Sequence, residues 1–131
     1  VRLKLKHLSD WNEKRCEKAS RYNDHIGQSN GVVTPHQPQW TKSVYHLYVI
    51  RTGKRDELQR FLSENGIASG LHYPIPLHLQ EAYSYLGYQR GDFPVSEKVA
   101  GEILSLPMYP ELTSEQQQEV VEHLKEFVSK L

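Results

Sequence analysis

Apolar side chains at the start of the chain recur every three or four positions, which is the spacing of an amphipathic helix. The pattern predicts a helix over residues 1–27, with Arg15 breaking the apolar stripe and polar residues on the opposite face. Ser9 and Asp10 are residue types that cap helix starts, so a break near residue 9 is expected. The apolar stripe consists of Leu5, Leu8, Trp11, Ala19, Tyr22 and Ile26.

The pattern changes after residue 27, where periodic spacing gives way to two prolines, a glycine and many polar side chains. Residues 28–43 are therefore predicted to form a connector, with a short extended piece at Val32–Val33. Residues 44–51 are almost all β-branched, aromatic or aliphatic, which predicts a central strand at least partly covered on both faces. His46 lies in the middle of this strand and is interpreted as a hydrogen-bonded core residue.

Short helices and strands alternate in the rest of the chain. Thr113 and Gln116 form a capping box at the start of the last helix, and Gly66 is a natural left-handed stop for an earlier one. The last helix carries an apolar stripe of Val120, Val121, Leu124, Phe127, Val128 and Leu131. The other predicted elements are a helix from Arg55, a strand near Ala68–Tyr73, a helical stretch over Leu77–Leu86, a helix over Pro94–Leu104 and an extended segment over Leu104–Pro107.

This order of elements predicts an α+β fold, in which helices pack on a small antiparallel or mixed sheet and a long helix precedes it. Two parts are expected: a long N-terminal helix over residues 1–30, and a small C-terminal α+β domain over residues 31–131. A chain of 131 residues can bury about two-thirds of its unfolded surface, which is enough for a core without disulfides.

Charge and composition argue against several classes of protein. Sixteen basic and sixteen acidic residues leave no net charge, which argues against a nucleic-acid binder or a protein held to membranes by charge. No apolar run approaches the roughly 20 residues of a membrane span, and no signal peptide opens the chain. The single Cys16 cannot form an intramolecular disulfide, which fits a reducing cytoplasm. Because the sequence begins with Val1, we expect a chain that was processed or cut from a longer protein.

Seven histidines and one cysteine raise the question of a metal or a nucleophile. His72 and His78 are the histidines nearest to each other in sequence, and their six-residue spacing does not fit a compact zinc motif, so no metal site is expected. Cys16 lies in a charged helix with no histidine near it and is interpreted as a buried or idle thiol. One stretch remains unusual: GLHYPIPLHLQ (70–80) combines two histidines, a tyrosine and two prolines.

Three stretches of the chain resemble one enzyme family. They are VYHLYVIR (44–51), RDELQRFLSENGIASGLHYPIPLHLQEAYSYLGY (55–88) and GDFPVSEKVAGEILSLPMYPELTSEQ (91–116). In this order they resemble the small C-terminal domain of the DegT/DnrJ/EryC1/StrS aminotransferases, fold-type I enzymes that use pyridoxal phosphate to aminate keto groups on nucleotide-linked sugars. KLKHLSDWNEKRCEKASRYND (4–24) resembles the long helix between the two domains of that family, so the chain is expected to begin inside that helix.

The resemblance implies a role in amino-sugar biosynthesis for polysaccharide, lipopolysaccharide or antibiotic. The substrates of the intact enzyme would be a nucleotide sugar and an amino-acid amino donor. In that family the cofactor lysine and its acidic partner lie in the large domain, so we expect no catalytic residue, no bound cofactor and no activity in this chain alone. A homodimer or self-association is expected, because the isolated chain would expose apolar surface at Leu3, Leu5, Leu8 and Trp11.

The proline-rich stretch carries the implied substrate-binding residues. In the family this segment faces the active site, so the resemblance implies that His72, Tyr73 and His78 bind substrate, with His72 and Tyr73 in the wall around the sugar. Pro74 and Pro76 fix the backbone φ angle and hold the loop in one shape. Two structural alternatives remain open: His72 can be a structural histidine, and His78 can bond to the backbone and hold the loop.

A second hypothesis of a different class also remains. The chain can be a free-standing binding or assembly module that lost its catalytic half. An upstream reading frame that encodes a large cofactor domain would favour the enzyme, and a start codon near Val1 would favour the module.

Overall fold

The computed structural model describes residues 2–27 and 31–130. Seven regular elements and two 3₁₀ segments, Leu77–Leu79 and Glu81–Leu86, follow one another along these residues. The regular elements are α1 (Arg2–Leu5), α2 (Leu8–Ile26), β1 (Tyr48–Arg51), α3 (Arg55–Glu64), α4 (Pro94–Glu102), β2 (Ile103–Leu106) and α5 (Ser114–Ser129).

The sheet is small and antiparallel. β1 pairs with β2 so that Tyr48 lies opposite Leu106. Isolated bridges extend the pairing on both outer edges, where Val33 pairs with Arg51 and Gly70 pairs with Ser105. The predicted α+β class with a long helix before a small sheet is therefore confirmed, and the sheet is antiparallel rather than mixed.

One core joins α2, α3, α5 and the sheet. The rings of Tyr22 and Tyr48 pack 4.8 Å apart at its centre, and their hydroxyls donate to the Pro107 carbonyl (3.1 Å) and to Asn23 Oδ1 (2.7 Å). Burial raises the pKa of both hydroxyls above their usual range, so both remain neutral donors. The cluster contains Ala19, Tyr22, Ile26, Val32, Tyr48, Ile50, Leu58, Leu62, Ile67, Leu104, Leu106, Leu112, Val120, Val121 and Leu124.

Two helix boundaries predicted from the sequence are confirmed, the start of α5 and the end of α3. Thr113 Oγ1 accepts from the Gln116 N–H (3.2 Å), and Gln116 Oε1 accepts from the Thr113 N–H (3.0 Å), which is the predicted capping box. Gly66 has φ +76°, the left-handed conformation that ends α3, and the Ile67 N–H then bonds back to the Leu62 carbonyl at 2.9 Å.

The predicted strand over residues 44–51 is too long. β1 begins only at Tyr48, because Tyr45 adopts a left-handed backbone (φ +46°) that turns the chain before the sheet. The interpretation of His46 as a core residue is wrong, since its side chain is exposed in the bend that follows. β1 alternates buried and half-buried residues, so one face is fully covered and the other only in part.

Several other boundaries move. The predicted strand near Ala68–Tyr73 is only the single bridge at Gly70, and the helical stretch over residues 77–86 is two 3₁₀ segments. α4 ends at Glu102, because Ile103 is extended (ψ 138°) and already belongs to β2. The first helix breaks at residues 6–7, and neither Ser9 nor Asp10 caps α2. The predictions for residues 28–30 and for Val1 and Leu131 lie outside the described residues.

Candidate functional site

The stretch of residues 70–80, called the proline loop below, leaves the sheet at the Gly70–Ser105 bridge and ends in a 3₁₀ segment. Its backbone is closed internally: the Leu79 N–H bonds to the Pro76 carbonyl at 3.0 Å, and Gln80 Nε2 donates to the Ile75 carbonyl at 3.3 Å. The peptide bond between residues 72 and 73 is cis. The prolines restrict the backbone, and the two hydrogen bonds hold its turns together. The loop therefore has a defined shape without being a helix or a strand.

His72 is fixed against the sheet through one ring nitrogen. Its Nδ1 is hydrogen-bonded to Ser105 Oγ at 2.9 Å, and Ser105 is buried in β2. Gly70 leaves room for the ring, because a Cβ at that position would lie 2.7 Å from His72 Cε1. The ring borders a small cavity of about 180 Å³, whose other walls include Leu47 and Met108.

Tyr73 projects outward from the loop, with 73% of its surface exposed. It borders a shallow, mostly apolar groove of about 460 Å³ between the proline loop and α4, called the apolar groove below. The groove is lined by Tyr73, Ile75, Pro76, Leu77, His78, Gln80, Phe93, Ser96, Val99, Ala100 and Ile103.

His78 also lines the apolar groove, and it is held by a carboxylate rather than by the backbone. Its Nε2 donates to Glu97 Oε1 at 3.0 Å, and its ring lies 4.8 Å from the ring of Phe93. The same oxygen accepts from the N–H groups of Gly91 (2.8 Å) and Phe93 (3.4 Å). The N–H of Gly91 first, and then the bond from His78, hold the pKa of the Glu97 carboxyl below its usual range.

The three residues that the sequence predicts to bind substrate thus line two different cavities. Tyr73 and His78 share the apolar groove, whereas His72 faces the smaller cavity on the sheet side. Sequence reasoning missed Glu97 and Phe93 as part of this region. The FP..E spacing in GDFPVSE could have revealed them. It places Phe93 just before α4 and Glu97 in the first turn of that helix.

The described part of the chain shows neither a reactive cysteine near the proline loop nor a metal site. Cys16 Sγ donates to the Ser43 carbonyl at 3.2 Å, away from the proline loop. Among residues 2–27 and 31–130, no three His, Cys, Asp or Glu side chains group closely enough to hold a metal ion. Within the same residues, no helix has the length and apolar character needed to cross a membrane.

None of the lysines in the described residues is buried: Lys18 is half-buried and the other eight are exposed. A lysine that forms a Schiff base is usually activated by a desolvated pocket or by a neighbouring cation. None of these lysines lies in a desolvated pocket, because all of them are at least partly exposed.

Comparison with known proteins identifies the family. The model of the DegT/DnrJ/EryC1/StrS aminotransferase family matches residues 1–125. A "Pleiotropic regulatory protein" from Geobacillus stearothermophilus is 50% identical over 127 residues, which are 95% of this chain and 34% of that protein. The dTDP-3-amino-3,4,6-trideoxy-alpha-D-glucose transaminase of Streptomyces venezuelae is 34% identical over 131 residues, which are 100% of this chain and 35% of the transaminase.

The fold agrees with these matches. The crystal structure of DesV from S. venezuelae has a TM-score of 0.95 and 35% identity to this chain, and covers 99% of this chain and 35% of DesV. The chain therefore spans about a third of the length of the relatives that it matches. Relatives from Streptomyces venezuelae and Aneurinibacillus thermoaerophilus are named as transaminases of dTDP-linked amino sugars. A putative sugar aminotransferase from Streptococcus pneumoniae has been solved in a PLP form, and NtdA from Bacillus subtilis with bound PMP. The chain belongs to the DegT/DnrJ/EryC1/StrS aminotransferase family.

Proposed function

We propose that this chain is the C-terminal part of a pyridoxal-phosphate-dependent aminotransferase that aminates keto groups on nucleotide-linked sugars. The observation that carries the proposal is the close superposition on DesV along 99% of the chain. Relatives named as transaminases of dTDP-linked amino sugars support the substrate class. An amino acid would be the amino donor, and the product would serve the synthesis of a polysaccharide, a lipopolysaccharide or an antibiotic.

In this proposal the proline loop contributes to the wall around the sugar. The bond from Nδ1 to Ser105 orients the His72 ring, so Nε2 is the nitrogen that can hydrogen-bond a sugar hydroxyl. Tyr73 offers an exposed ring and hydroxyl beside it. Because the loop is ordered before substrate arrives, little conformational entropy would be lost on binding. His78 would act from the apolar groove, or indirectly by holding the loop through Glu97.

The described residues do not fit the role of anchoring the cofactor. The half-buried or exposed lysines lack the desolvated setting that activates a Schiff-base lysine. We therefore propose that the cofactor is anchored in another part of a longer protein.

The proposed organisation follows the family resemblance. The N-terminal helices α1 and α2 would belong to the connection between a large domain and this small C-terminal domain. Leu3 and Leu5 are 77% and 59% exposed, and Leu8 is also exposed, so this end has apolar surface suited to a large domain, a second subunit or self-association. We propose a cytoplasmic location, because the single Cys16 cannot form an intramolecular disulfide and so fits a reducing compartment.

Aminotransfer by the longer protein tests the proposal. The protein that contains this sequence is incubated with amino-acid donors and with dTDP- and UDP-linked keto sugars, and amino-sugar products are identified by mass spectrometry. We expect amination of at least one nucleotide-linked sugar, and failure with every sugar would reject the proposal.

A labelling experiment tests whether this chain anchors the cofactor. The 131-residue chain is mixed with pyridoxal phosphate and reduced with borohydride, and the adducts are mapped. We expect sparse labelling spread over exposed lysines. A single stoichiometric lysine adduct accompanied by transaminase activity would contradict the assignment of the cofactor anchor to another part of the protein.

A further inference from the structure

Glu97 joins two loops at a single carboxylate oxygen. Its Oε1 accepts from His78 Nε2 of the proline loop and from the N–H groups of Gly91 and Phe93, which lie in the loop before α4. The side chains of His78 and Glu97 are only 8% and 12% exposed, so water has limited access to these bonds. Hydrogen bonds to a carboxylate are stronger than those between neutral groups, which makes this junction a strong one.

Aromatic contacts reinforce the same junction. The ring of Phe93 lies 4.8 Å from the ring of His78 and 5.1 Å from the ring of Tyr88. The loop over residues 87–93 contains one turn and one bend, and Asp92 Oδ2 accepts from the Gln89 N–H at 2.8 Å. The position of this loop relative to the proline loop therefore depends on the few contacts that meet at His78, Phe93 and Glu97.

We propose that Glu97 is a positioning residue that fixes the proline loop and the loop over residues 87–93 to α4, and so sets the shape of the apolar groove. Tyr73 and His78 are then held in a single fixed position relative to the substrate. The link to substrate rests on the proposed function, whereas the junction itself does not.

The charge of Glu97 gives this junction a pH dependence. The Gly91 N–H and the bond from His78 lower the pKa of the carboxyl, and His78 is the titratable side chain that contacts it among the described residues. Asp92, in the same loop, bonds to Gln89 instead. Because the folded pKa is lowered, the stabilisation is fully present above the ordinary glutamate pKa of about 4.3 and is lost as pH falls through the lower folded value.

NMR titration of the 131-residue chain tests the junction. The amide protons of Gly91 and Phe93 should shift together with a midpoint below that of an ordinary glutamate. Glu97→Gln should abolish this shared titration. Glu97→Ala should speed hydrogen exchange at Gly91 at least about tenfold, because the acceptor is removed, while exchange in α5 stays unchanged. Glu81→Gln is the matched control, since Glu81 is an exposed glutamate of the neighbouring 3₁₀ segment.

Two results would overturn the junction. The first is that Gly91 and Phe93 show no shared titration in the unsubstituted chain. The second is that Glu97→Ala leaves hydrogen exchange at Gly91 unchanged. Loss of exchange protection throughout the chain in Glu97→Ala would indicate global unfolding, and the Glu97→Gln titration would then decide.

Steady-state kinetics of the longer protein test the positioning role. For Glu97→Ala we expect KM for the nucleotide sugar to rise about tenfold, with KM for the amino donor unchanged. Glu97→Gln should recover part of this loss because its amide oxygen still accepts hydrogen bonds, and Glu81→Gln should match the wild type. An unchanged KM for the sugar in an active Glu97→Ala enzyme overturns the positioning role but leaves the proposed function intact. An inactive wild type rejects the proposed function, and the amide titration still decides whether the junction exists.

Discussion

The core around α5 and the segment over residues 73–95 use apolar side chains in opposite ways. In the core, Leu124, Tyr22 and Ile50 have no exposed surface, and they come from elements far apart in sequence. In the segment over residues 73–95, large apolar side chains lie at the surface although the backbone forms internal hydrogen bonds. These exposed side chains are Tyr73, Ile75, Leu77, Tyr83, Tyr85, Leu86, Tyr88, Phe93 and Val95.

This contrast shows that different forces order the two regions. Burial of apolar area stabilises the core at roughly 25 cal/mol per Å² removed from water. The segment over residues 73–95 instead depends on prolines and on the junction at Glu97, and the bond between His72 and Ser105 fixes the chain just before it. Side chains that are not needed for a core remain available for contact with a ligand or another part of a larger protein.

The largest effect is expected in the core. Leu124→Ala removes a fully buried side chain from α5 and should lower the free energy of unfolding by about 2–5 kcal/mol. Urea denaturation followed by circular dichroism measures it, with the exposed neighbour substitution Lys125→Ala as control. A loss below about 0.5 kcal/mol, as is usual for surface positions, would show that this part of the core is loosely packed.

The next effect concerns the proline loop. In the longer protein, His72→Ala should lower kcat/KM for the nucleotide sugar by about 5- to 150-fold, the equivalent of one hydrogen bond of roughly 1–3 kcal/mol. Stability should fall less than for Leu124→Ala, since His72 contributes one bond to Ser105 and no core surface.

Ser105→Ala is the control for His72→Ala, because it removes the same bond and keeps the ring. If both substitutions lower stability equally and neither changes kcat/KM of the folded enzyme, His72 is a structural histidine. A loss of kcat/KM specific to His72→Ala supports a direct contact with substrate.

A smaller effect is expected at the start of α5. Thr113→Ala removes the side-chain half of the capping box and should lower the free energy of unfolding by about 1 kcal/mol. Thr113→Ser should restore most of it, since serine keeps the accepting oxygen. Equal loss in both variants, measured by urea denaturation, would show that the methyl group rather than the cap matters.

The smallest effect is expected in the segment over residues 73–95. Tyr85→Ser removes a ring that is 78% exposed, so the free energy of unfolding should change by no more than about 0.5 kcal/mol. Thermal unfolding of this variant beside Leu124→Ala compares the two regions directly. A loss in Tyr85→Ser as large as in Leu124→Ala would remove the distinction between them.

The sequence alone predicted those elements whose signals are local. The capping box at Thr113, the left-handed stop at Gly66 and the apolar stripe of α5 each depend on neighbours within a few residues, and all three are present for the residues described. The motifs in the proline loop and after it were also enough to identify the family. The contribution of His72, Tyr73 and His78 to substrate binding stays a prediction.

Only the tertiary structure decided the features that depend on contacts distant in sequence. His46 is exposed because the backbone of Tyr45 turns before β1, which the largely apolar composition of residues 44–51 could not reveal. His78 bonds to Glu97, nineteen residues away, and His72 bonds to Ser105, thirty-three residues away. Such pairings arise when separate segments pack together. The amino-acid sequence therefore determined which chemical groups are available, and tertiary packing determined which of them meet.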